Sequence, residues 1–171
     1  MKEIIDYAMW TIKYYLPPMI ANATPVLIRG TTPIDGGRYL RDGKPIFGKN
    51  KTWEGFIAGA IEAYIAGACL GIIFSDYALP LLSLGAGLSA LFGDLIGAFI
   101  KRRASIQPGD PAPILDQLDF ALAATGYYYA FGVNEVTVQP TYIILTLILV
   151  IVLHIATNRA AYALGLKHTK F

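Results

Sequence analysis

The sequence predicts an all-α integral membrane protein with five transmembrane helices, and three observations predict it. Of 171 residues, 55% are hydrophobic and 15% charged, where a soluble domain carries roughly 25% charged residues; mean hydropathy is +0.50. Five stretches are apolar enough to cross a hydrocarbon layer of about 30 Å, which takes about 20 helical residues whose backbone polar groups pair within the segment. Twelve of the 14 Lys and Arg fall in three clusters, at residues 29–51, 101–103 and 159–170.

The expected spans are residues 4–28, 56–74, 77–100, 114–133 and 141–158. The last, with the run YIILTLILVIVLHIA, is the clearest. The first carries Lys13, Asn22 and the pair Pro17-Pro18, so a kinked or partly interfacial helix is expected there. The 17 Gly and 10 Pro, without a collagen period, fit helices broken at chosen places. Cys69 excludes a disulfide scaffold and reads as a small core residue. Ala21-Asn22-Ala23 has the small-residue look of a cleavage site, but Glu3, Asp6 and Lys13 spoil the charged-then-apolar order of a signal peptide.

All three cationic clusters follow odd-numbered spans, and the connections after spans two and four hold none. The positive-inside rule therefore places the N-terminus outside and the clusters in the cytoplasm. The expected organisation is a single transmembrane domain, residues 1–171, in a multi-pass cell-membrane protein with two cytoplasmic loops at about 29–53 and 101–113, which the family resemblance given below implies are catalytic. Within the first loop, Asp42-Gly43 between Tyr39-Leu40 and Ile46-Phe47 is a hairpin signal, so a small flap is expected.

Three constellations carry chemistry. Gly48-Lys49-Asn50-Lys51-Thr52-Trp53-Glu54-Gly55 leads into span two. Thr52 as N-cap, Glu54 at the positive helix end and Trp53 at the interface suit a purely structural role. Two lysines converging on a helix N-terminus suit phosphate, with backbone N–H groups as further donors. Gly43, Gly48 and Lys49 mimic a P-loop, but Asn50 stands where Ser or Thr is required and no βαβ unit surrounds it.

Asp94 lies seven residues before Lys101-Arg102-Arg103 in span three, about 10 Å along the helix from the basic end. A carboxylate at that depth needs a partner, a metal or water. Pro113 can open span four, which sets Asp116 and Asp119 on one face of its first turns. These two acids could simply complement the helix dipole, and Asp94 a salt bridge; alternatively Asp94, Asp116 and Asp119 together could hold Mg2+ while leaving places for water and phosphates. Glu62 and His154 stand alone on separate helices and are left out of the site.

The stretch Lys51-Thr52-Trp53-Glu54-Gly55, the Gly93-Asp94 then Lys101-Arg102 pair, and Pro108-Gly109 through Leu115-Asp116 to Asp119 occur in one order and spacing over residues 43–120. The combination resembles the CTP-dependent lipid cytidylyltransferases, and in its short length their archaeal branch. Bacterial phosphatidate cytidylyltransferases usually read Pro-Gly-His-Gly-Gly, Leu-Asp-Arg and Asp-Ser, where this chain has Asp110, Pro111, Ala112, Gln117 and Phe120. The resemblance therefore implies transfer of CMP from CTP to an unsaturated archaeal ether lipid, 2,3-bis-O-geranylgeranylglycerol 1-phosphate, with another lipid phosphate such as phosphatidic acid as the alternative acceptor.

It further implies catalytic roles for Asp94, Asp116, Asp119 and Lys101, with Mg2+ on Asp94, Asp116 and Asp119 and Asp110 as a fourth ligand. Lys49, Lys51 and Lys101 would hold the triphosphate, Arg102 the lipid phosphate, and Asn50, Thr52 and Glu54 would orient the nucleotide or the loop. The implied partners are CTP, a lipid phosphate and membrane lipids, with no nucleic acid. A CDP-alcohol phosphotransferase is disfavoured, because Asp35-Gly36 and Asp42-Gly43 lack the Ala-Arg continuation of that pattern. A small ion or solute transporter, with the three acids as its cation pathway, is the alternative from another class.

Overall fold

The computed structural model describes residues 1–28, 30–107, 110, 112 and 114–163. Six helices follow in order: α1 (Lys2–Leu27), α2 (Trp53–Phe74), α3 (Leu79–Arg103), α4 (Leu115–Ala130), α5 (Asn134–Thr137) and α6 (Pro140–Ala163). There is no strand among the described residues, only isolated antiparallel bridges between Pro33 and Thr52 and between Tyr39 and Pro45. Five of the helices fall on the five expected stretches, and α5 is a single extra turn. Two of them, α2 and α3, are plainly long and apolar enough to cross a bilayer. At 16 residues α4 is shorter than expected, reaching about 24 Å. The expected start at Pro113, with Pro108, Gly109, Pro111 and the C-terminal Lys167 and Lys170, lies outside the described residues.

The prolines of α1 do not end it. Pro17, Pro18 and Pro25 lie inside one continuous helix, and each strips a hydrogen bond from the carbonyl four residues earlier. The carbonyl freed by Pro18, that of Tyr14, accepts the O–H of Tyr128 on α4. The carbonyl freed by Pro25, that of Ala21, faces Gly59 on α2, where an added methyl would sit 2.6 Å from it.

The helical glycines are contact points, not breaks. Along α2, Gly55, Gly59, Ala63, Gly67 and Gly71 recur every fourth residue, all buried. This small-residue stripe lets backbones approach closely where lipid supplies no hydrophobic drive between helices. A methyl on Gly67 would meet the Ser83 side chain of α3 at 2.5 Å, and one on Gly87 of α3 would meet Ala63 at 2.4 Å. α3 is thus the central helix, packed on α1 and α2 and, through Gly85, Gly93 and Gly97, on α4. Cys69, expected in the core, sits exposed on α2, because the buried face of that helix is occupied by the stripe.

Tyr15, Tyr128, Leu79 and Val136 build a core between α1, α3 and α4. Its polar groups are paired internally: Tyr15 with Thr125 at 2.7 Å and Thr11 with Thr146 at 3.3 Å. Lys13, the charge that interrupts the first apolar stretch, reaches Asp76 in the α2–α3 turn at 2.9 Å. The opposite end of the bundle gathers the start of α2, the end of α3, the start of α4 and the flap.

Candidate active site

The flap, residues 30–52, is held by carboxylates. Its turn at Asp42-Gly43 forms as expected, with Gly43 at φ +71° and Leu40 N–H donating to the Lys44 carbonyl at 2.9 Å, but as a bridged turn without strands. Arg103 at the end of α3 pairs with Asp42 at 2.5 Å and donates to the carbonyls of Lys44 and Pro45. Lys44 returns hydrogen bonds to the Arg103 carbonyl and the Ser105 hydroxyl. Glu54 accepts from the backbone and hydroxyl groups of Thr31 and Thr32 at 2.8–3.2 Å.

These contacts decide how the first constellation works. At the start of α2, Trp53 N–H donates to the Thr32 carbonyl, Gly55 N–H to the Thr52 hydroxyl, and Phe56 N–H to the Thr52 carbonyl. Gly48 N–H is taken by Asp35. The helix-end amides expected to bind an anion are therefore used in capping, and what remains for phosphate is ammonium. Thr52 and Glu54 hold the loop: a methyl on Gly30 would strike both of them, at 2.2 and 2.8 Å. Asn50 borders a small groove lined by Lys51 and Asp94 together with Phe56, Leu91 and Leu95. Lys49 is exposed on the turn beside it.

Lys51 reaches across to α3, its Nζ 2.5 Å from Asp94 Oδ2. On the other side Lys101 Nζ lies 2.8 and 3.0 Å from the two oxygens of Asp116. Asp116 also accepts from the Ala112 N–H at 2.8 Å, pinning the α3–α4 loop. Between the pairs stands Asp119, partly buried, with Oδ1 accepting from its own neighbour Phe120 N–H at 2.7 Å. No Lys or Arg among the described residues makes an ion pair with it; the charges it faces are Asp94, Lys51 and Asp116. Its Oδ2 lies against Gly97, where a methyl would come within 2.2 Å, and its carbonyl lies against Gly93.

Arg102 is 5% exposed. Among the described residues it donates to the Gln107 carbonyl at 3.2 Å, while its Nε and one terminal nitrogen find no partner there. Its acidic neighbours are Asp110 and Asp116. A buried guanidinium with two idle donors is a costly arrangement unless an anion completes it.

The expected three-acid shell is not assembled: among the described residues no three Asp, Glu, His or Cys side chains lie close enough to share an ion. Lysines neutralise Asp94 and Asp116, and Asp110 faces Arg102. The donor set nonetheless suits Mg2+, a hard cation that takes oxygen ligands and needs only one or two carboxylates when substrate phosphates supply the rest. Asp119 and Asp94 are the two carboxylates that could supply that share.

The profile of the CarS-like family, CDP-archaeol synthase, matches residues 1–171. The chain belongs to this family. It is 50% identical over 165 residues to the CDP-archaeol synthase of Staphylothermus marinus, covering 96% of this chain and 94% of that one. It is 42% identical to the CDP-archaeol synthase of Aeropyrum pernix, over 95% and 92% of the two chains. A solved structure of an intramembrane enzyme for archaeal membrane lipid biosynthesis superposes with a TM-score of 0.78 at 38% identity, covering 86% of this chain and 92% of its own. Asp35 and Gly97 were not among the residues singled out in the sequence; an i+4 glycine stripe and an Asp at the root of a cationic loop were the available signals.

Proposed function

We propose that the chain is a CDP-archaeol synthase, transferring CMP from CTP to the phosphate of 2,3-bis-O-geranylgeranylglycerol 1-phosphate and releasing pyrophosphate. The observation that carries the reading is the cluster itself: Lys51–Asp94 and Lys101–Asp116 flank Asp119, which has no ion-pair partner among the described residues, at one end of the bundle. The nucleophile is a lipid phosphate oxygen, already anionic, so no protein nucleophile is required. Its bond to the α-phosphorus forms as the bond from that phosphorus to the β-phosphate bridging oxygen breaks. The work left to the protein is alignment and neutralisation of charge.

Lys51 and Lys101 supply the cationic groups for the triphosphate and the departing pyrophosphate, with Lys49 at the outer edge. Arg102, with its idle donors, takes the acceptor phosphate. Asp94 and Asp119 would hold Mg2+, which when bound offsets triphosphate charge; Asp116 orients Lys101 and the loop. Five spans, an outside N-terminus and a cytoplasmic site complete the proposal, supported by the three cationic clusters. The prenyl chains reach the site from the bilayer.

The test is incubation of purified protein with radiolabelled CTP, Mg2+ and either the ether lipid phosphate or an ester phosphatidic acid. Label is expected in the ether lipid; label in neither, with nucleotide-independent ion flux in liposomes, would turn the reading toward a transporter. In the same assay Lys51→Ala is expected to raise the KM for CTP about tenfold, since it removes a charge-assisted phosphate contact.

A further inference from the structure

Asp35 takes no part in the chemistry above, yet it is 7% exposed and its carboxylate is fully engaged. One oxygen accepts from Gly37 N–H at 2.9 Å, the other from Phe47 and Gly48 N–H, both at 2.9 Å. Although burial pushes its carboxyl up, these amides together hold it below the ordinary carboxylate range. Beside it, Ile34 N–H donates to the Lys51 carbonyl at 2.8 Å, and Lys51 N–H donates to the Gly48 carbonyl at 3.1 Å. The backbone of Lys51 is thus fixed on both sides, by Ile34 next to Asp35 and by Gly48 in Asp35's grip.

We propose that Asp35 is a positioning residue for the nucleotide phosphates: it locks Gly48 and the segment opposite, and so sets where the Lys51 ammonium stands relative to Asp94. The inference rests on the reading that Lys51 meets the triphosphate. Lys51 has four rotatable side-chain bonds, so a phosphate contact made with its backbone free loses most of its gain to ordering. A fixed backbone removes the backbone part of that loss for CTP and does nothing for the lipid, whose phosphate is assigned to Arg102 on another element. Gly48, at φ +102°, reaches this position because it carries no side chain.

The experiment is steady-state kinetics on the full-length detergent-solubilised enzyme, varying CTP and the ether lipid separately, with thermal midpoints measured alongside. Asp35→Ala is expected to raise the KM for CTP about tenfold while the lipid KM and kcat stay within about twofold. Asp35→Asn keeps one acceptor oxygen and is expected to raise it about threefold. An unchanged KM for CTP, or equal damage to all three constants, overturns the inference. Should the alanine variant fail to fold, the asparagine variant decides by the same measure. Lys51→Ala separates the two levels. If it raises the KM and the Asp35 variants do not, only the positioning role falls; if it too leaves the KM unchanged, the phosphate reading falls with it.

Discussion

Replacing Asp119 by asparagine is expected to lower turnover by about a thousandfold and to leave the thermal midpoint of the detergent-solubilised protein unchanged or slightly raised. The opposite signs are the point. Asparagine has the same shape and keeps an oxygen for the Phe120 N–H, so the local fold survives. It removes a negative charge that faces Asp94 and Asp116 without an ion-pair partner among the described residues, and relief of like-charge repulsion favours folding. A carboxylate held against its own stability is accounted for if a cation joins it in the working enzyme. Retained turnover in this variant would take Asp119 out of the proposed metal site, and a collapsed midpoint would make it a structural residue.

Gly97→Ala carries the second large effect, about a hundredfold loss of turnover. The added methyl would stand 2.2 Å from Asp119 Oδ2, 3.1 Å from its carboxyl carbon and 3.3 Å from its Cβ. The two nearest atoms belong to a carboxyl group that rotates about Cα–Cβ, and the Cβ contact needs only a small shift, so the conflict resolves by swinging the carboxylate off its position beside Asp94. Alanine is also the better helix former by roughly 1 kcal/mol, so the thermal midpoint should hold or rise while activity disappears. Gly93→Ala makes the contrast, because there the methyl meets the Asp119 carbonyl at 2.4 Å and Ala123 at 2.7 Å. Backbone cannot swing aside, α3 and α4 must part, and stability should fall together with activity. Equal midpoints and full activity in Gly97→Ala would show that Asp119 does not need its place against α3.

Much of this architecture was legible in the sequence because hydropathy reports burial in lipid directly. Five helices fall where five apolar runs lie; Asp94 stands out as a charge set deep in its span, Asp116 and Asp119 as acids sharing one helix face and Lys51 as a cation at a helix start, while a role for Lys101 comes only from the family resemblance. What hydropathy does not encode is pairing. Three acids near one another suggest a shared ion, and nothing in their spacing says that Lys51 and Lys101 will each claim one. Nor does a helix N-terminus reveal that its amides are already taken, by Thr52 and by the carbonyl of Thr32. The glycines were misread for a similar reason: in isolation a glycine weakens a helix, whereas in lipid its missing side chain is the surface on which the next helix lies.

The contact between Tyr128 and the Tyr14 carbonyl has an evolutionary corollary. That oxygen is open only because Pro18 cannot supply an amide hydrogen, and the phenol is placed to fill the opening. Each residue without the other leaves an unsatisfied group in an apolar interior, so descendants of this chain should lose or keep the proline and the tyrosine as a pair, and a lineage that restores the amide sets position 128 free to drift.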